Sequence, residues 1–453
     1  MTSELFSEFN PVSSKQWKQK IQFDLDGTNY NETLVWKSNE DIAVKPFYNT
    51  DDLSKLPLIT PTTTTWKICQ SIFVAHIEKS NLKAIDAIAR GAESIEFIIP
   101  SKAITIEYLL KNINLNTITI HFKLLFISHD YVNKLITICK KANIYIHTDI
   151  IGNLTKTGNW FSNLKEDFTI FETITKDTAQ INVDTTTYQN AGANITQQLA
   201  YALAHTNEYL NYLEDKKCIN KLLQPIFHIA IGSNYFFEIA KLRALRLLWK
   251  TIAFEYKIDS NCHIVATPTK RNKTLYEYNT NILRTTTECM SAILGGANIV
   301  CNLPYDYIYH KSNEFGERIA RNQLLILKHE SYLDKVTNPS DGAYYIETLT
   351  DQLAKKALSL FKNIEKNGGF LNQLKSGTIQ RKIKESASKE QEQFNNKKIV
   401  LLGTNKYLNP NDKVKENIDI YPFVKTNRKK TLIEPIIEKR LAEKLEQERL
   451  KTE

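Results

Sequence analysis

Between residues 66 and 330, short apolar or β-branched runs alternate with longer segments whose apolar residues recur at helical spacing, and a turn marks each change. This alternation predicts parallel βαβ units. The strand-like runs cover 67–75, 94–100, 118–126 and 143–150, then 179–187, 225–232, 262–269 and 298–304. Helical patterns such as "NLKAIDAIARGA", "ITQQLAYALAHTNEYLNYLED" and "YFFEIAKLRALRLLWKTIAFEY" lie between them. Gly91 and Gly296 fall where a helix must end and turn into the next strand, a place that favours positive φ. Eight such units favour a closed (β/α)8 barrel of the TIM type over an open doubly wound sheet.

The flanks follow other patterns. Residues 1–55 carry Trp17, Trp36, Phe47 and Tyr48 among polar neighbours with no periodic core, which predicts an arm that packs on a partner. With the barrel at 56–345, residues 346–453 form a C-terminal helical extension and remnant linker. It holds a strand-like run at 397–404 and a last helix over "LIEPIIEKRLAEKLEQERLK", whose Ile437, Leu441 and Leu445 would form a narrow apolar stripe against the barrel or a partner.

Composition adds exclusions. The 453 residues are 42% hydrophobic and 24% charged, as in a folded globular chain, and the net charge of +9 comes without a block of like charges, so no nucleic-acid partner is expected. No secretory start or long apolar run occurs, so the expectation is a cytoplasmic protein with no membrane contact. Cys69, Cys139, Cys218, Cys262, Cys289 and Cys301 stand apart from one another and from histidine at ligand spacing, so they read as reduced structural residues with no metal to hold.

In such a barrel, chemistry belongs at the C-terminal strand ends. Those ends offer Ser71, Ser101, Ser128 with His129, Asp149 with Gly152, Thr185 to Thr187, Gly232 with Ser233, Thr267 and Asn302. Only His147 with Asp149 and His129 with Asp130 pair an imidazole with a carboxylate, and both pairs read more simply as ordinary polar residues. No phosphate-cradling glycine motif follows a strand, and "LGGA" at 294–297 is a helix terminus. No catalytic constellation is expected.

Five stretches taken together, "TTWKICQSIFVAHIEKSN", "YFFEIAKLRALRLLW", "RTTTECMSAILGGANIV", "ERIARNQLLIL" and "NPSDGAYYIETLTDQLAKKAL", resemble the barrel part of the methylmalonyl-CoA mutase family. "FDLDGTNYNETLVWKS" with "VKPFY" is similar to the start of that family's small, or beta, subunit. The resemblance implies a part in interconverting methylmalonyl-CoA and succinyl-CoA, in propionate metabolism, by radical chemistry that adenosylcobalamin supplies.

The same resemblance implies that this chain has given the chemistry up. Where catalytic members read R-P-W-T-I-R-Q-Y, this chain reads Thr64, Thr65, Trp66, Lys67, Ile68, Cys69, Gln70 and Ser71. Where they read Y-H-M-Q-E-A-G-A, it reads "TTYQNAGA", with the histidine replaced by Thr187. Thr64, Cys69, Ser71 and Thr187 are therefore vacated substrate-facing positions, and a hydroxyl cannot serve as an imidazole-like acid near neutral pH. No D-x-H-x-x-G occurs and no cobalamin-binding Rossmann-like domain is expected, so the cofactor would sit on a large catalytic partner chain in a heterodimer. The alternative is a catalytic acyl-CoA mutase barrel served by a separately encoded cobalamin subunit. In catalytic members the pantetheine arm threads the barrel; here bulky residues in "SIEFIIP", "HFKLLF" and "PIFHIAIG" suggest both strand faces are apolar and the axis is filled.

Overall fold

The computed structural model describes residues 7–453 except 11, 54–58, 60–64, 141 and 426–428. All eight expected strands form: β1 Lys67–Phe73, β2 Ser94–Ile99, β3 Thr119–Leu124, β4 Asn143–His147, β5 Gln180–Asp184, β6 Gln224–Ile231, β7 His263–Pro268 and β8 Ile299–Cys301. They pair in parallel in the order β4-β3-β2-β1-β8-β7-β6-β5, with helices wrapped outside, as in a (β/α)8 barrel.

Between β4 and β5 the backbone ladder is replaced by side chains. Ile146 N–H donates to Gln180 Oε1 at 3.1 Å, Gln180 Nε2 to the Ile144 carbonyl at 3.1 Å, and Asn182 Nδ2 to the Ile146 carbonyl at 2.6 Å. The two carboxamides close the barrel by satisfying edge groups that would otherwise be orphaned.

Strand alternation separates two environments. Ile68, Ile95, Phe97, Ile120, Phe122 and Ile264 point outward into one large apolar cluster with the helices. The inward face holds a small apolar cluster, Cys69, Ile226, Val265, Ile299 and Cys301, among polar side chains that include four histidines, Glu96, Lys123 and Asp184. This corrects the expectation of bulky apolar residues on both faces: the large residues in the quoted runs occupy alternate, outward positions.

Helices end as expected at Gly91 (φ +95°) and Gly296 (φ +88°), and at Gly91 a Cβ would also come within 2.8 Å of Leu325. In the arm, the helix Ser14–Asp24 carries a capping box from Ser13 and Gln16 but buries no residue. Downstream the arm touches the barrel, with Trp36 edge-on to Phe237 at 5.7 Å and Tyr48 beside Tyr345 at 5.1 Å.

Two expectations for the C-terminal part fail. Residues 397–404 form no strand, because the Asn405 side chain takes up their backbone groups: Leu401 N–H donates to Oδ1 at 2.8 Å and Nδ2 donates to the Ile399 carbonyl at 2.8 Å. The last helix is only Glu443–Leu450. Ahead of it, Pro435 lacks an N–H, and the chain runs irregularly, with its amides spent on barrel loops. The expected stripe therefore does not exist; Leu441 is buried, whereas Ile437 and Leu445 are exposed. Among the described residues no helix is long and apolar enough to cross a membrane.

Candidate functional site

The C-terminal strand ends and the lumen beneath them form the place to look for chemistry. Deep in the lumen, aromatic rings cross the axis. His121 stacks on Tyr145 at 4.8 Å, Tyr145 on His263 at 4.0 Å, and His147 meets His228 edge-on at 4.3 Å between ring centres. All four histidines are buried. The rings fill the axis at this level, but with imidazoles rather than apolar bulk.

A hydrogen-bond chain fixes their state. Asn182 Nδ2 donates to the Ile146 carbonyl, so its Oδ1 must accept, 2.5 Å from His147 Nδ1. His147 Nδ1 therefore carries the proton, shared with His228 Nε2 at 2.7 Å, and His147 Nε2 accepts from His121 Nδ1 at 2.9 Å. The unpartnered His121 Nε2 is then a bare lone pair rather than a stranded N–H. Burial, reinforced by neighbouring Lys123 and Arg246 respectively, pushes His228 and His263 each down to about 3, and drives His121 and His147 well below the ordinary imidazole range. The rings are neutral at pH 7. Among the described residues no cluster of His, Cys, Asp and Glu is arranged to hold a metal.

One layer higher lie the charges. Lys123 Nζ donates to Asp184 Oδ2 at 2.7 Å, and Ser71 Oγ donates to Glu96 Oε2 at 2.7 Å. Burial would raise the Asp184 carboxyl, but Lys123 and His228 outweigh it and hold it far below the carboxylate range. Each carboxylate here already has a partner, so neither stands as a free general base.

Of the four positions expected to be vacated, Thr64 lies outside the described residues. Cys69 and Ser71 project from β1 into the lumen, Cys69 deep beside Cys301 and Ser71 at the level of Glu96. Thr187 is buried in the short helix Thr186–Asn190 after β5, which stands at an end of the sheet order while β1 stands in its middle. Nothing imidazole-like joins them. His147 and Asp149 diverge: His147 enters the lumen chain, while Asp149 caps the helix Ile150–Thr157 and accepts from Tyr209 at 2.7 Å. His129 contacts Asp177 at 2.8 Å on the exposed face.

The residues that match the family motifs face the other way. Trp66 Nε1 donates to the Leu333 carbonyl at 3.1 Å, Ile68 packs in the outer core, and Gln70 accepts from Arg321 at 3.1 Å. Gln189 accepts from buried Lys241 at 3.0 Å, and Gly192 has φ +102°, where a Cβ would come within 2.5 Å of Ala387. These contacts hold the barrel together.

The mouth is crossed by residues 430–441. Leu432 N–H donates to the Gly158 carbonyl at 2.9 Å, Ile436 N–H to Thr155 at 2.8 Å, Lys439 N–H to Asn190 at 3.0 Å and Leu441 N–H to Arg271 at 2.9 Å. The strap thus runs over the loops that follow β4, β5 and β7, with a cavity of about 680 Å³ beside it bounded by Gln189, Arg271 and Leu441. The apolar spacing of this segment predicts a helix and does not reveal the strap; Pro435 inside the pattern is the signal against a helix.

Comparison with known proteins fits this geometry. The model of the family described as methylmalonyl-CoA mutase matches residues 103–451. A methylmalonyl-CoA mutase small subunit of Porphyromonas gingivalis is 35% identical over 444 residues, covering 90% of this chain and 71% of that protein. The small subunit of Streptomyces virginiae is 27% identical over 83% of this chain and 67% of its own length. A methylmalonyl-CoA mutase large subunit of Porphyromonas gingivalis is 32% identical over 54% of this chain, which spans only 35% of that longer protein. Family match, coverage and an eight-stranded barrel agree, and the chain belongs to the methylmalonyl-CoA mutase family.

Proposed function

We propose that this chain is a small, non-catalytic subunit of a heterodimeric, adenosylcobalamin-dependent methylmalonyl-CoA mutase of the cytoplasm, active only through a large catalytic partner that binds the cofactor. One observation carries the reading. Along β1 the residues shared with the catalytic motif, Trp66, Ile68 and Gln70, point outward and bind helices, while the replaced ones, Lys67, Cys69 and Ser71, point into the lumen where a substrate would lie. Maintaining a fold keeps the first set, and loss of turnover frees the second.

The residues present do not fit the cofactor. These 453 residues contain no D-x-H-x-x-G, buried His205 is held by Asp149 at 2.9 Å, and the strap covers loops on the catalytic end. Relatives named small and large subunit in one organism support a two-chain assembly, and the arm helix that buries nothing of its own is available as a docking element. Purified alone, the chain is expected to show no cobalamin absorbance and no mutase activity, and to co-purify with a large subunit that has both. Turnover of methylmalonyl-CoA by the isolated chain with added cofactor would overturn the reading.

A further inference from the structure

The strap places one carboxylate of its own at the mouth. Glu438 Oε2 lies 3.2 Å from Lys270 Nζ, and Asn190 Nδ2 donates to Glu438 Oε1 at 3.4 Å. Its receptor is built rather than incidental: Asn190 Oδ1 accepts from Thr269 Oγ1 at 2.8 Å and from Lys270 N–H at 3.0 Å, which fixes the amide so that Nδ2 points at the anion. Asn190 is itself 4% exposed.

We propose that the barrel mouth holds a carboxylate-binding site formed by Asn190 and Lys270, and that Glu438 of the strap fills it in cis. A tethered occupant competes at an effective concentration of roughly millimolar order. Free carboxylates of ordinary weak affinity are therefore kept out while the strap is seated. The consequence is a mouth that excludes small anions whether or not the chain pairs with a catalytic subunit.

The test titrates the full chain with succinate calorimetrically at constant ionic strength, comparing wild type with Glu438→Gln and with Glu438→Gln/Lys270→Met. The single variant is expected to bind succinate at least about tenfold tighter than wild type. The added Lys270→Met change should abolish that gain. Equal affinity in wild type and single variant, or no binding by a Glu438→Gln chain whose near-ultraviolet circular dichroism is native, would overturn the proposal. Should the variant not fold, amide exchange on wild type decides: succinate raised well above the roughly millimolar effective concentration of the tether must speed exchange at Ile436 and Lys439, and unchanged rates at that excess refute the site.

Discussion

The two faces of the barrel strands are built by opposite rules. Outward positions are apolar, buried and packed on helices in one continuous cluster, whereas the lumen a few ångströms away is a network of neutral imidazoles, carboxamides and paired charges. The outer face draws its stability from area removed from water and from dispersion, so it depends on shape. The inner face draws on a hydrogen-bonded network, so it depends on protonation and partner count. The sharpest way to break the first rule is Phe122→Ala. Phe122 is fully buried and stacked against Phe97 at a ring separation of 6.2 Å, so truncation should cost about 3–5 kcal/mol in urea unfolding.

The second rule is broken by acid. His228 and His263 titrate near 3 in the folded chain against about 6.5 unfolded, so between those limits the unfolded chain takes up protons that the folded rings refuse. Stability is therefore complete above about pH 6.5 and falls as pH drops, by about 2 kcal/mol per ring at pH 5. Urea midpoints measured at pH 7 and pH 5 check this, and equal midpoints would mean that the rings reach water or a compensating anion. At the seam, Asn182→Ala strips the Ile146 carbonyl of a donor and His147 Nδ1 of one acceptor and should cost about 1–3 kcal/mol, with greater acid sensitivity than the parent because the amide oxygen that favours protonated His147 is gone.

How much of this was legible in the sequence follows the same division. The outer face announces itself, since alternating Ile and Phe in "SIEFIIP" and "TIHFKL" mark strands and Gly91 and Gly296 mark their approach. The lumen was legible only in part: His121 and Lys123 occupy every second position of β3, yet pattern alone does not say that four strands bring their histidines to one point. The strap was least legible. Ile437, Leu441 and Leu445 at i, i+4 and i+8 satisfy a helical template, but the choice was made by barrel loops that offer carbonyls to the amides of this segment, a tertiary term that local spacing cannot carry. Likewise the expectation that Cys69, Ser71 and Thr187 stand where an arginine, a tyrosine and a histidine would be rests only on comparison with a family pattern.

The smallest expected effect tests whether the lumen face of β1 is free of chemistry. Ser71 is partly buried and makes one hydrogen bond, from Oγ to Glu96 Oε2 at 2.7 Å. Ser71→Ala removes that bond while leaving Glu96 near the mouth, where water can replace the lost donor, so the cost should be at most about 1 kcal/mol. In a complex reconstituted with a large subunit, kcat and KM for methylmalonyl-CoA should be unchanged, because on the proposed reading no substrate reaches this barrel. Gln70→Ala, one residue away on the opposite face, should instead lower stability further by stranding buried Arg321, again without touching turnover. If Ser71→Ala lowered kcat of the complex at unchanged stability, the lumen would still be taking part in the reaction, and the contrast between a retained outer face and a released inner one would not hold.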